Sequence, residues 1–165
     1  MRILDWLQVI ASSATAVAVF LAWWQLHQSK NQATTNFEDT LTREYREISR
    51  RLPLSALLGK PLSDEEMQKS LPSFFSYIDL SNEEVFLRQQ NRISEQTWKN
   101  WCDGIKSNLR RPAFEKAWQS IRDESDGSFQ ELRRLIGEQF SKDPAEWGRE
   151  HLPSVQDKKN MKSTT

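Results

Sequence analysis

The residues best suited to chemistry are three acidic side chains, Asp79, Glu83 and Glu84. Asp79 and Glu83 are four residues apart, so on one continuous helix they share a face, with Glu84 adjacent. Converging carboxylates can act as general acid and base or bind hard cations. We favour a solvated, ion-paired face, with Glu84 placed to pair with Arg88, because no histidine or further acidic cluster stands nearby. The catalytic residues therefore stay unknown, and we lean toward a protein that is not an enzyme.

The single cysteine, Cys102, is the candidate nucleophile, and a nucleophile needs a base within hydrogen-bond reach. Neither histidine is well placed to serve it, because His27 borders an apolar segment and His151 a polar tail. Cys102 shares an apolar stripe with Trp98 and Ile105, which is typical of a small buried thiol. We expect a structural role for Cys102, no metal site and no cofactor.

The charge balance gives no reason to expect specific nucleic-acid binding, since 23 basic residues face 23 acidic ones. Basic side chains could still form a local stripe for phosphates or anionic headgroups. We favour ordinary helix-end charges for them. The residues concerned are Arg43, Arg46, the pairs Arg50-Arg51, Arg110-Arg111 and Arg133-Arg134, and Lys158, Lys159 and Lys162.

The elements that position these residues are predicted to be helices, because no segment alternates convincingly at period two. One apolar stripe ends before Pro53. The pattern Thr35 to Glu38 has the form of a capping box, so this helix either starts there or continues from the preceding segment. The stripe residues are Phe37, Leu41, Tyr45, Ile48 and Leu52.

The densest apolar cluster, LPSFFSYIDLSNEEVFLRQQ, should form the centre of the fold. Ser63 opens a short helix before it by capping-box logic. The cluster itself is either one helix after Pro72 or two helices with Ser81 capping the second. In the first case, the inward residues are Phe74, Ile78 and Val85.

Three further helices are predicted from caps and apolar spacing. Ser94 caps the first, Pro112 stands in the first turn of the second, and Ser128 with Glu131 caps the third, which stops before Pro144. Trp147 has no periodic apolar company, so we assign it to an interface. The expected core positions are Trp98, Trp101, Cys102, Ile105 and Leu109, then Phe114, Ala117, Trp118 and Ile121, then Phe129, Leu132, Leu135, Ile136 and Phe140.

The opening stretch from Trp6 to Leu26 contains 21 residues without a charge. A helix rising about 1.5 Å per residue would span roughly 30 Å, the thickness of a bilayer's hydrocarbon core. Trp6 at one end and Trp23 and Trp24 at the other suit the two interfaces. A buried soluble helix would show one polar face, which this stretch lacks. A cleaved signal peptide needs its cleavage site after the apolar residues, whereas the candidate site here precedes the most apolar ones. We therefore predict a membrane anchor.

The flanking charges predict the orientation. Arg2 stands alone before the span, whereas Lys30, Arg43 and Arg46 follow it, so the C-terminal part should face the cytoplasm and the N-terminus the outside. Small residues recur every fourth position and give a hypothetical face for homo-oligomers, although alanine is also common in spans. These residues are Ala14, Ala18 and Ala22.

The order of features from Trp6 to Trp118 resembles a family of uncharacterised bacterial proteins. The resemblance is carried by the EYREI segment, Glu44 to Ile48, and by FFSYIDLSNEEVFLRQQNRISEQTWKNWCDGIKSNLRRPAFEKAW. It implies one N-terminal span, a juxtamembrane helix, a small helical domain and a bacterial inner membrane. It implies no particular activity.

The sequence as a whole predicts an all-α protein with a transmembrane helix, a juxtamembrane helix and a small helical bundle. The expected division is residues 1–27 as anchor, 28–52 as juxtamembrane helix, 53–152 as cytoplasmic helical domain and 153–165 as disordered tail. The leading hypothesis for function is an adaptor or regulatory subunit that binds another protein. The alternatives are a membrane-tethered enzyme that uses Asp79, Glu83 and Glu84, and a small membrane-permeabilising protein.

Overall fold

The computed structural model describes residues 2–147, with side chains from residue 18 onward except at residues 30 and 31. Within this range it contains only α-helices and one 3₁₀ turn, so the all-α prediction is confirmed. The predicted tail 153–165 and His151 lie outside the described residues. The elements are α1 (Arg2–Arg51), α2 (Leu54–Leu57), α3 (Asp64–Gln89), α4 (Glu95–Leu109), α5 (Pro112–Glu124), α6 (Gln130–Gly137) and the 3₁₀ turn Pro144–Glu146.

The chain divides into two compact units, residues 1–39 and 40–165. α1 is continuous through Thr35, so of the two interpretations of that segment the uninterrupted helix is the one observed. Every side chain from Ala18 to Ser29 is exposed, including the apolar ones of the predicted span.

No helix is long and apolar enough to cross a membrane among the residues whose side chains are described. The side chains of residues 6–17, which make up more than half of the predicted span, lie outside that set. Ala14 lies there too, while Ala18 and Ala22 of the predicted homo-oligomer face are exposed.

α3 is the central helix of the second unit, as the dense apolar cluster predicted, and it packs against α4, α5, α6 and the 3₁₀ turn. Its predicted inward residues, Phe74, Ile78 and Val85, are all buried. Phe74 meets Phe114 of α5 edge to face, with ring centroids 5.0 Å apart and planes at 87°. Aromatic pairs in this geometry add about 1 kcal/mol beyond the area that they bury.

The boundaries predicted inside α3 are wrong, because one helix runs through both Pro72 and Ser81. Ser63 does open it with a complete capping box to Glu66. Pro72 removes one backbone donor, a loss that the packing of a 26-residue helix tolerates. Ser81 Oγ donates to the carbonyl of Tyr77 at 2.9 Å, so it bonds back along the same helix and caps nothing.

α4 and α5 begin where the sequence predicts. Ser94 accepts from the amide of Thr97, and Pro112 occupies the first turn of α5. All four apolar positions expected on α5 are buried, whereas Trp101, Cys102 and Leu109 on α4 are only partly buried. Of these three residues, Trp101 lines the cavity described below.

α6 begins one residue later than predicted, and its cap comes from another helix. Phe129 is the N-cap residue, in the left-handed region with φ 58°, and its side chain makes no capping bond. Asn82 of α3 supplies the cap instead: its Oδ1 accepts from the amide of Leu132 at 3.0 Å, and its Nδ2 donates to Glu131 at 3.1 Å. The local Ser128 and Glu131 pattern therefore does not form the predicted capping box.

The segment after α6 is held on α3 by an ion pair and on the end of α6 by the contacts of Trp147. Arg88 donates from Nε and Nη2 to the two Asp143 oxygens at 2.8 and 2.6 Å, so the expected Glu84–Arg88 pair does not form. Trp147 is buried, which overturns its assignment to an interface. Its Nε1 donates to Glu138 at 2.9 Å, and the Arg134 guanidinium lies 4.3 Å from its ring centroid.

Candidate functional site

A cavity of about 170 Å³ lies between the C-terminal part of α1, α3 and α4, within the second unit. Its floor is buried and its mouth reaches the surface, because Asn100 and Gly104 are exposed and Tyr45 is 37% exposed. The remaining lining residues are half-buried or buried. Three aromatic rings, two of which are phenols, line it together with two carboxamides, one aliphatic hydroxyl and one carboxyl. The lining residues are Thr42, Tyr45, Tyr77, Glu84, Asn100, Trp101, Gly104, Ile105 and Asn108.

The unusual member of this set is Glu84, whose side chain is buried with only 5% of its surface exposed. Carboxyl groups at such positions normally have a hydrogen-bond or charge partner. Among the described residues, no hydrogen bond or ion pair reaches the Glu84 carboxyl. Burial, reinforced by the negative charges of Glu83 and Glu44, raises its pKa from 4.5 to about 8. The carboxyl is therefore mostly protonated at pH 7.

The rest of the floor is polar and ordered. Asn108 Nδ2 donates to Tyr77 Oη at 3.0 Å, and both side chains are buried. Burial also raises the pKa of the Tyr77 phenol, so that group stays neutral around pH 7. Tyr45 lies beside it with ring centroids 6.3 Å apart. The floor thus presents rings and neutral dipoles around one carboxyl.

The other two predicted acidic residues belong to a different surface. Asp79 and Glu83 are exposed and line an open groove of about 250 Å³ on which Glu44, Glu47 and Arg51 also lie. The i and i+4 spacing does bring Asp79 and Glu83 to one face, as the sequence predicts. Glu84 lines the cavity and not this groove, so the three carboxyls do not share one pocket.

Cys102 has the environment of an unreactive thiol. Its side chain is partly buried, and burial raises its pKa to about 11, aided by the charge of Asp103. A thiol with such a pKa is almost wholly protonated at pH 7 and is a poor nucleophile. His27 is exposed on α1. The prediction of a structural role for Cys102 agrees with this environment.

No group of histidine, cysteine or acidic side chains is placed to hold a metal ion in the part of the chain that the structure describes. Two of the predicted basic positions serve local structure. Arg133 donates to the backbone carbonyls of Ser128, Arg122 and Ser125, and Arg134 stacks on Trp147.

The chain matches no protein family, no curated protein and no solved structure. The chemistry of the cavity has therefore to follow from its own residues.

The sequence indicates Glu84 as a candidate but predicts a solvated face for it, whereas the structure buries it. Most of the residues around it were not among the predicted site residues. One signal was available. Glu84 lies seven residues after Tyr77 and three after Ser81, the helical spacing of one face, and both of those residues are buried on α3. An acidic residue in register with a buried face is costly and so points to a specific environment. Thr42, Asn100 and Asn108 carried no comparable signal.

Proposed function

We propose that the chain is a single-pass, membrane-anchored protein whose helical domain binds another protein in the cytoplasm, as an adaptor or regulatory subunit. The observation that carries the binding role is the cavity around Glu84. It combines a mouth open to the surface, a floor of aromatic rings and a carboxyl that has no partner within the described part of the chain, which are the features of a binding site.

Binding fits the cavity better than catalysis does. Among the described lining residues, Glu84 has a pKa near neutrality, and neither a histidine nor a cysteine lines the cavity beside it. Acid–base or nucleophilic catalysis needs two cooperating groups within hydrogen-bond reach. A carboxylate enzyme would have Asp79, Glu83 and Glu84 around one substrate, whereas Glu84 opens into a separate space.

The length of the uncharged stretch and the exposure of its apolar side chains support the membrane anchor. The 21 uncharged residues from Trp6 to Leu26 have the length of a span. The apolar side chains described in that stretch lie exposed, Val19 at 64% and Trp24 at 58%. A continuous exposed apolar surface marks a membrane or protein contact. The excess of lysine and arginine after the span over the single Arg2 before it supports a cytoplasmic helical domain and an N-terminus outside.

The anchor and its orientation are tested by fractionation. We expect the full chain to sediment with membranes, to resist extraction with alkaline carbonate and to dissolve in dodecyl maltoside. A phosphatase reporter, active only outside the cytoplasm, should be active at the N-terminus and inactive at the C-terminus. Recovery of the full chain in the carbonate supernatant would remove the anchor from the proposal.

The binding role is tested by photo-cross-linking at the cavity mouth in living cells. A benzoylphenylalanine at Asn100 should cross-link one partner in stoichiometric amount. The same residue at Asp123, which is exposed on α5 away from the cavity, serves as the matched control and should not. Equal yields at both positions, or no protein product from Asn100, would contradict a partner site at this cavity.

A further inference from the structure

The cavity around Glu84 has a chemical preference that goes beyond binding in general. A buried carboxylate is stable only when a positive group or several donors satisfy it. No lysine or arginine lines the cavity, and the charged groups that act on Glu84 are Glu83 on α3 and Glu44 on α1, both negative. The α4 side chains that line it are uncharged. Glu84 is mostly protonated at pH 7, so a positive group that stabilises its ionised form has to come from outside the described domain.

The remaining lining residues favour an organic cation over a metal ion. A hard metal ion takes six or more oxygen ligands, or keeps several waters, and a single carboxyl with three aromatic rings offers no such set. Aromatic rings attract a cation over their faces, and the attraction is largest for desolvated alkylammonium groups. Tyr45, Tyr77 and Trp101 supply these rings, and the side-chain oxygens of Asn100 and Thr42 can accept from N–H groups.

The size of the cavity fits a small head group. An engineered protein cavity of about 150 Å³ holds one benzene molecule. The present cavity, at about 170 Å³, has room for a comparable group of five or six heavy atoms. A tetramethylammonium ion or the end of a lysine side chain is of this size. The exposed mouth at Asn100 and Gly104 leaves a path for the chain to which such a head group is attached.

We propose that this cavity binds an alkylammonium group, with the Glu84 carboxylate as its counter-ion and the rings of Tyr45, Tyr77 and Trp101 around it. The proposal deepens the binding role given above and rests on it only for the source of the cation. Two sources share this chemistry: a lysine side chain of the protein partner and a free small amine. In both cases Glu84 loses its proton when the cation enters.

Calorimetric titration of the full chain in dodecyl maltoside with tetramethylammonium chloride tests this directly. The probe has a permanent charge, so only the protein titrates, and tert-butanol serves as the neutral probe of similar shape. Because Glu84 must ionise first, we expect the association constant to rise about fifty-fold from pH 6 to pH 8 and to level off above pH 9. Tyr77 stays neutral over this range.

Two variants keep the test decisive. Glu84→Gln preserves size and removes the charge, and it should weaken tetramethylammonium binding at pH 8 by about tenfold or more. Gly104→Phe adds a bulky ring at a residue that lines the cavity and leaves Glu84 intact, and the helix accepts the added Cβ because that atom meets open space. It should also abolish binding. Equal affinity in the parent and Glu84→Gln, equal binding of tert-butanol, or no binding at pH 8 would overturn the proposal.

Two further measurements distinguish the source of the cation and test this inference separately from the proposed function. If a partner lysine supplies it, excess tetramethylammonium reduces cross-linking from Asn100, and acetylation of the partner's lysines abolishes it. If a free amine supplies it, cross-linking persists and native mass spectrometry of the purified chain shows a low-mass adduct. If a partner is cross-linked but tetramethylammonium does not bind, only this inference is contradicted. If tetramethylammonium binds but no partner is cross-linked, only the proposed function is contradicted.

Discussion

The buried Glu84 carboxyl predicts that the folded domain loses stability as the pH rises. Its pKa is about 8 in the folded state against an ordinary value of 4.5, so the folded state holds the proton more tightly. The stabilisation is therefore fully present below about pH 4.5 and is lost as the pH rises to about 8. Each pH unit in this window costs about 1.4 kcal/mol, which gives a total of about 5 kcal/mol. Domains of this size have a total free energy of unfolding of about 5–15 kcal/mol.

The perturbation that isolates this effect is Glu84→Gln, which keeps the shape and cannot ionise. We expect the free energies of unfolding of the parent and variant to coincide near pH 4.5 and to diverge above it, with the variant more stable by about 5 kcal/mol at pH 9. Urea unfolding of the dialysed full chain in dodecyl maltoside, followed by near-ultraviolet circular dichroism, measures the free energy of unfolding of the parent and of the variant. Asp64, Glu66 and Glu138 have lowered pKa values and act at acid pH in both proteins, so they cancel in the difference.

Glu124→Gln is the matched control, since Glu124 is exposed on α5 and is not among the charges that act on the Glu84 carboxyl. It should change the free energy of unfolding by no more than about 0.5 kcal/mol at any pH. Parent and Glu84→Gln curves that run parallel from pH 4.5 to 9, or a Glu124→Gln variant that reproduces the divergence, would refute this prediction.

Three other substitutions test individual features of the helical domain. Asn82→Ala should lower the free energy of unfolding in urea by about 1–2 kcal/mol because it removes the cap of α6, whereas Ser128→Ala, at the cap position predicted from sequence, should leave it unchanged; equal losses would contradict the assigned cap. Asp143→Ala should cost about 3 kcal/mol, because the Arg88 guanidinium is left largely buried without its carboxylate, and a loss below 1 kcal/mol would show that the pair is dispensable. Gly104→Ala should raise the thermal midpoint, because helix propensity adds about 1 kcal/mol to the free energy of unfolding and the added Cβ meets open space. A lower midpoint would mean that this part of α4 is more crowded.

Local signals sufficed wherever the stabilising contact is local. Ser63, Ser94 and Pro112 start their helices as predicted, because each cap or first-turn preference depends on residues within one turn. The period of apolar residues likewise located the buried faces of α3 and α5. The cap predicted for α6 failed because the deciding contact is distant. Asn82, 50 residues away from Leu132, caps α6.

Burial of polar and aromatic groups was the other point at which the sequence was insufficient. Trp147 has no periodic neighbours in sequence, yet Glu138 and Arg134 satisfy its indole and bury it. The sequence predicts Glu84 on the surface because Arg88 stands four residues later, but Arg88 forms its ion pair with Asp143. Such pairings depend on which helices meet, and spacing along a single helix does not contain that information.

A carboxyl-detected ¹³C NMR titration of Glu84, with and without tetramethylammonium, tests the central claim most directly. The Glu84 resonance, assigned from its loss in Glu84→Gln, should titrate near pH 8 in the free protein. In saturating tetramethylammonium its midpoint should fall by at least one pH unit, because the cation stabilises the ionised form. A midpoint near 4.5 in the free protein, or one near 8 that the cation leaves unchanged, would contradict the account.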